Sequence, residues 1–244
     1  NYPENSLPAI RSAIEMGVDI VEIDLALTSD SVLVLCHDRT IDRTTSGRGL
    51  IAEITYDSIR RVNLRAGQNA VTHWKVPTLE DKIVVNIDKG FQYYGLIHPL
   101  LEKYGMLEQV LIKSNVTADR AAATFSKYDD NCLFMPIVNF GKKSYRKILE
   151  SYERLKYPLL AYEICWSEYT PEVETCMREV IAGGSKLWVN SLWPSLNGGL
   201  CDDAAVEGDP AEVYGKLVDM GATMIQTDRP ELLISYLRAR GLHD

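Results

Sequence analysis

Short apolar runs alternate along this chain with longer stretches in which apolar residues recur every three or four positions. The runs at 19–25, 32–36, 83–88, 109–113, 132–138, 159–164, 186–190 and 223–226 predict strands. The amphipathic stretches at 5–16, 92–104, 117–127, 142–155, 171–182, 210–220 and 230–240 predict helices. Asn5, Thr117, Thr170-Pro171 and Asp209-Pro210 stand where helix starts are expected. The connection between 25 and 32 is too short for a parallel crossover, so 32–36 should return antiparallel as a hairpin arm. Removing that arm leaves seven parallel strands. The chain opens on a helix, so an eighth strand is expected just before residue 1. The fold class that follows is α/β, a (β/α)8 TIM-type barrel formed as a single domain over 1–244. A doubly wound sheet would need a glycine-rich phosphate loop after an early strand, and none is present.

Two stretches break the alternation. Residues from about 38 to 80 are polar and rich in turn formers, and predict an insertion after the second strand, at the barrel mouth. Pro77-Thr78-Leu79-Glu80-Asp81 reads as a helix start, yet a strand opens at once. The helix there is either cut to almost nothing or residues are missing near 81–82.

Composition narrows the partners. With 26 basic residues against 34 acidic ones and a net charge of −8, the chain lacks the basic surface of a nucleic-acid or anionic-membrane binder. No apolar run is long enough to span a bilayer, so no stable membrane insertion is expected. The five cysteines have no CxxC spacing and read as buried thiols rather than a disulfide or zinc framework. The start at Asn1 without a methionine leaves room for an upstream signal peptide. Compartment stays open on this reading, with the periplasm or secretion preferred to the cytoplasm, and oligomeric state is open too.

The candidate chemistry gathers at predicted strand ends. Glu22 and Asp24 are two apart on one strand and project from the same face. A hairpin centred between residues 30 and 31 would set position 24 opposite His37. Asp88 and Asn86 share a face of the next parallel strand, with Lys89 at its tip. Lys113, Glu163, Trp188 and Asn190 close later strands. Carboxylates converging in this way repel each other unless a cation or a shared proton sits between them, and the alternative is that they form ion pairs with Lys89, Lys113 or arginines at the barrel rim. Glu22, Asp24 and Asp88 make a hard oxygen site suited to Mg2+ or Ca2+, and zinc would want more nitrogen or sulfur. His37, beside Asp38, is the candidate acid/base group. His73, His98 and His243 lack such company and are expected at the surface or in loops.

Six segments occur in a telling order: Pro3-Glu4-Asn5-Ser6-Leu7, Val21-Glu22-Ile23-Asp24, Cys36-His37-Asp38, the stretch from Arg43 to Gly49, Pro77-Thr78-Leu79-Glu80, and Gln226-Thr227-Asp228-Arg229-Pro230. Together, over nearly the whole chain, they resemble the glycerophosphodiester phosphodiesterase family. The resemblance implies a barrel enzyme that hydrolyses glycerophosphodiesters to sn-glycerol 3-phosphate and an alcohol, with a divalent metal. It implies metal ligation by Glu22 and Asp24 with Asp88, where the family usually carries a glutamate. It also implies acid/base work by His37 and substrate contacts from Glu4 and from Lys89 or Lys113, to which Trp188 is added as a flank for the substrate chain. A His-Arg-Gly motif that the family carries before Pro-Glu-Asn is expected upstream of Asn1. The rival readings are a related phosphodiesterase acting on lysophospholipid or phosphoinositide, and a barrel that binds a phosphorylated ligand without turning it over.

Overall fold

The computed structural model describes residues 2–79, 85–128, 132–155 and 159–244. The chain forms two compact units, one running up to Lys113 and taking in Cys132, the other made of the rest of the chain from Ser114 onward.

The first unit opens with helix α1 (Leu7–Met16), capped by Ser6, whose hydroxyl accepts from Ala9 N at 3.3 Å. The helix therefore begins after Ser6 rather than at Asn5. Asn5 takes a left-handed φ of 49° and faces away from the helix. Strand β1 (Val21–Leu27) then turns into β2 (Leu33–Leu35). The turn is closed by Thr28, whose N–H donates to Val32 O at 3.0 Å, with Ser31 left-handed at φ 63°. Asp30 is locked into this corner, accepting from Thr28 Oγ1 and Tyr56 N, and these bonds hold its carboxyl below the usual range.

Leu25 pairs with Leu35, and Cys36 N donates to Asp24 O at 3.1 Å. Position 24 therefore faces 36 rather than 37, one residue off the expected register. A one-residue shift exchanges the faces of a strand. It turns Val34 and Cys36 into an apolar cluster with Ile41, Ile51, Ile59, Leu64 and Val76, and His37 follows after β2 has ended.

That cluster is the core of the 38–79 segment, which holds the four-residue helix α2 (Tyr56–Ile59) and a small hairpin, β3 (Arg65–Ala66) with β4 (Ala70–Val71). Pro77 to Leu79 do not start a helix. Leu35 N donates to Pro77 O at 3.0 Å and Leu79 N to Leu33 O at 3.3 Å, so this stretch runs antiparallel beside β2. The expected junction near 81–82 lies outside the described residues. Beyond it come β5 (Val85–Asp88), helix α3 (Tyr94–Tyr104) and β6 (Val110–Ser114). β1 pairs parallel with β5, and β5 with β6. His98, expected at the surface or in a loop, is instead buried on α3 against the Tyr94 ring.

The second unit continues the alternation with α4 (Ala118–Phe125), β7 (Leu133–Asn139), α5 (Tyr145–Leu155), β8 (Ala161–Cys165), α6 (Pro171–Ala182) and β9 (Lys186–Asn190). It ends with α7 (Asp202–Glu207), α8 (Lys216–Asp219), β10 (Met224–Gln226) and α9 (Pro230–Ala239). β7, β8, β9 and β10 pair parallel in that order. The helix expected over 210–220 is divided, with a π turn over Ala211–Gly215 preceding α8. Helix α7 was not anticipated, because six residues carry too little periodicity to register.

Buried Asp202 at the start of α7 ties the unit's strand ends together. Its Oδ1 accepts from Ser191 Oγ at 2.7 Å, Thr227 Oγ1 at 2.8 Å and Tyr214 OH at 3.0 Å, and its Oδ2 from Asp228 N at 2.7 Å. The Thr227-Asp228 pair of the last motif thus serves the fold, closing β10 against the loop after β9.

Candidate active site

In the first unit β1, β5 and β6 end side by side, and their register lines up the charged residues. Asp24 pairs with Asp88 and Glu22 with Asn86 across β1 and β5. Ile87 pairs with Ile112, so Lys113, one step further, continues the row of Asp24 and Asp88. Glu22 lies one layer below on the same face. Each of Glu22, Asp24 and Asp88 offers an oxygen within 4.8 Å of the others. The donors are oxygens only, which fits a hard cation such as Mg2+ or Ca2+.

Among the described residues, two cations of the chain join this cluster. Lys113 Nζ, nearly buried, lies 3.5 Å from Glu22 Oε1. Lys89 Nζ donates to Asp24 Oδ1 at 2.9 Å and to the main-chain oxygen of His37 at 2.9 Å. Lys89 reaches back because its own φ is +57°, which ends β5 abruptly. Gly90 permits the turn, since a Cβ there would meet Ile87 Cγ2 at 2.6 Å. The ammonium thus joins a cluster carboxylate to the backbone of the candidate acid/base residue; the ion pair with Asp24 is one the sequence offered, and the contact to His37 is not.

Asn5 grips the cluster from the other side. Its Oδ1 accepts from Asp24 N at 2.9 Å, and its Nδ2 donates to Asp24 Oδ2 at 3.1 Å. Glu4, the neighbouring residue, points elsewhere. Both its oxygens accept from Arg43, at 2.5 and 2.7 Å. Arg43 in turn donates from Nε to Asp38 Oδ2 at 2.7 Å and from Nη2 to Asp38 Oδ1 at 3.0 Å. Asp38 Oδ1 lies 2.7 Å from His37 Nδ1. The Arg43 guanidinium beside Asp38 holds that carboxyl well below the usual carboxylate range, against an opposing effect of burial, and His37 adds to the lowering. Arg43 is pushed up in exchange, first by Glu4 and then by Asp38.

Of the residues expected from sequence, Glu22, Asp24, Asp88, Lys89 and Lys113 come together, and His37 is joined to them through Lys89. Glu4 is engaged by Arg43. Trp188 belongs to the second unit, where it is buried and pairs with Glu163 across β8 and β9, beside Asn190. Asn190 Nδ2 donates to Glu163 Oε1 at 2.8 Å. Asn5, expected only as a helix start, Asp38, expected only as the acid beside His37, and Arg43 were not named among the site residues from sequence. Their signal was membership in the ordered motifs; Asp38 stands next to His37 in the chain, whereas Asn5 and Arg43 meet Asp24 and Glu4 only through folding.

The geometry describes a strand-end acidic site that attracts cations, with a histidine tied to its edge. The fold around it is established by solved structures. A glycerophosphoryl diester phosphodiesterase from Parabacteroides distasonis superposes with a TM-score of 0.80 at 24% identity, over 98% of this chain and 82% of that one. An Oleispira antarctica phosphodiesterase, solved in complex with the product sn-glycerol-3-phosphate, superposes with a TM-score of 0.72 at 19% identity, over 97% of this chain and 92% of that one. With the alternation of strands and helices, this makes the fold a (β/α)8 barrel, as the strand count predicted.

The sequence comparisons then define the family. A profile of the glycerophosphoryl diester phosphodiesterase family matches residues 1–153, and the chain belongs to that family. Residues 134–237 also match a domain of unknown function, DUF4996. A glycerophosphodiester phosphodiesterase of Caldanaerobacter subterraneus subsp. tengcongensis is 27% identical over 99% of this chain and 95% of its own length. Human glycerophosphodiester phosphodiesterase 1 is 43% identical, over 41% of this chain and 32% of its own length.

Proposed function

We propose that this chain hydrolyses glycerophosphodiesters to sn-glycerol 3-phosphate and an alcohol, with a divalent cation held by Glu22, Asp24 and Asp88 and with His37 moving a proton. The observation that carries the reading is the meeting of those three carboxylates within 4.8 Å, in a chain of this family. When bound, Mg2+ or Ca2+ would supply positive charge against a phosphoryl oxygen. The chain's own residues do the rest. Lys113, held at Glu22, adds a fixed positive charge beside the site. Lys89 holds the His37 backbone against Asp24. His37, with Nδ1 turned to Asp38, is left with Nε2 as the nitrogen that exchanges a proton with substrate.

Phosphorus NMR of glycerophosphocholine or glycerophosphoethanolamine incubated with the protein tests this reading. The expected result is formation of sn-glycerol 3-phosphate, lost on EDTA treatment and restored by Mg2+ or Ca2+. His37→Ala should abolish turnover while calorimetry still detects the metal. Full activity after EDTA would remove the metal from the reading, and full activity of His37→Ala would remove the histidine. Release of phosphocholine in place of choline would reassign the bond that is cut.

A further inference from the structure

We propose that Glu4 and Arg43 form a brace that holds Asp38 as the fixed partner of His37 Nδ1, making these three the positioning residues of the acid/base histidine. The inference rests on His37 as the proton-transfer group.

The need for a brace follows from where His37 sits. It lies past the end of β2, on a bend, with 56% of its side chain exposed. Packing alone leaves such a ring free to rotate, and an exposed imidazole shares its proton between two tautomers. A general acid or base works only when the reacting nitrogen and its proton are in a known place. Asp38 answers part of this need. A carboxylate accepts and does not donate, so a ring nitrogen facing it must carry a hydrogen. With Nδ1 at 2.7 Å from Asp38 Oδ1, the neutral ring holds its proton on Nδ1 and presents a bare Nε2.

Asp38 is itself only partly covered, with 27% of its side chain exposed, and could turn away. Arg43 prevents that with a two-pronged contact, Nε to Oδ2 at 2.7 Å and Nη2 to Oδ1 at 3.0 Å. The same planar guanidinium makes a second fork to Glu4, at 2.5 and 2.7 Å. Paired forks fix orientation in a way a single surface ion pair does not, because rotating any member breaks two bonds at once. Glu4 is anchored in turn by its place in the chain. Asn5, next to it, is clamped to Asp24, and Ser6 caps α1. One tight turn, Glu4-Asn5-Ser6, therefore sets the histidine's brace and a cluster carboxylate from a common base. Glu4 thereby acts on the histidine from a distance, rather than on substrate.

The test joins a spectrum to kinetics. Protein labelled with 15N histidine, with His37 assigned by its loss in His37→Gln, reports the tautomer directly. The expected result is an Nδ1–H ring in the native protein. In Asp38→Asn and Arg43→Met the ring should move toward the Nε2–H form, because the acceptor is replaced or freed. Their kcat should fall on the order of 10²-fold, with KM changed less than about 3-fold, as for loss of acid/base positioning. Glu4→Gln keeps the shape and weakens one fork, so its kcat should fall less than in Arg43→Met. An Nε2–H ring in the native protein, or variants in which tautomer and kcat both stay unchanged, would overturn the brace. A protein without diesterase turnover whose His37 tautomer still follows Asp38 and Arg43 would remove the activity reading and leave the brace standing.

Discussion

Asn5 holds Asp24 by both ends, taking its main-chain N–H at 2.9 Å and donating to its carboxylate at 3.1 Å. The left-handed backbone at Asn5 makes this possible, since it directs the side chain away from α1 and toward β1. Asn5→Gly is the clean probe, because glycine keeps that φ without strain and removes only the amide. Divalent-ion affinity by calorimetry should fall about 10-fold, the usual effect of removing an outer partner of a metal ligand. Unchanged affinity would mean that Asp24 does not depend on this grip.

Lys89 and a bound cation would compete for Asp24. The ammonium contributes one positive charge 2.9 Å from Asp24 Oδ1. Removing it by Lys89→Met leaves the carboxylates with more uncompensated charge, so divalent ions should bind several-fold more tightly. Turnover should fall by roughly 10²-fold, because the His37 backbone loses its tether and the site a fixed charge. Looser metal binding in this variant would show that Lys89 supports the ion instead of opposing it.

Asp202 is a matter of stability. Asp202→Ala would remove the carboxylate that accepts from the Ser191, Tyr214 and Thr227 hydroxyls and the Asp228 N–H; the buried Tyr214 hydroxyl loses its acceptor, while Ser191 keeps Gln226 O at 3.0 Å. The expected loss is about 3 kcal/mol or more by urea unfolding. That corresponds to a melting point lower by roughly 6–12 °C in a chain of this size. A change below about 1 kcal/mol would show that water replaces the carboxylate at little cost.

Alkaline pH should weaken the second unit. Burial pushes the Cys176 thiol from 9.0 up to about 12, with Glu179, Glu153 and Glu172 adding to it. Burial likewise raises the Tyr162 hydroxyl from 10.0 to about 12, with help from Glu153. In both cases the folded state keeps its proton longer than the unfolded chain does. Their contribution is therefore complete below pH 9 and declines as pH rises toward 12. Denaturation midpoints measured across that window should fall, and native Cys176 should be silent to a thiol reagent at pH 8. Fast labelling there would contradict the burial.

Much of the architecture was legible in the sequence. Alternating apolar runs and amphipathic stretches identify βα units because side-chain periodicity is a local property of the chain. The strand spacing of Glu22 and Asp24 set both on one face for the same reason, and the parallel count led to the barrel. The errors were also local. Asn5 resembles a helix cap until Ser6 is seen to do that work, and the hairpin register slipped by one because a three-residue turn had to be distinguished from one of even length.

What only the tertiary structure decided is which partner each charge takes. Glu4 and Arg43 lie 39 positions apart, and Lys89 and Asp24 lie 65 apart. No periodicity links such residues. Their pairing depends on side-chain reach and on backbone turns such as the left-handed Asn5 and Lys89, which are properties of the folded chain. The sequence by itself determined the donors and the face of the sheet on which they stand. Folding decided that the Glu4-Asn5 turn would hold the histidine through one residue and a cluster carboxylate through the next.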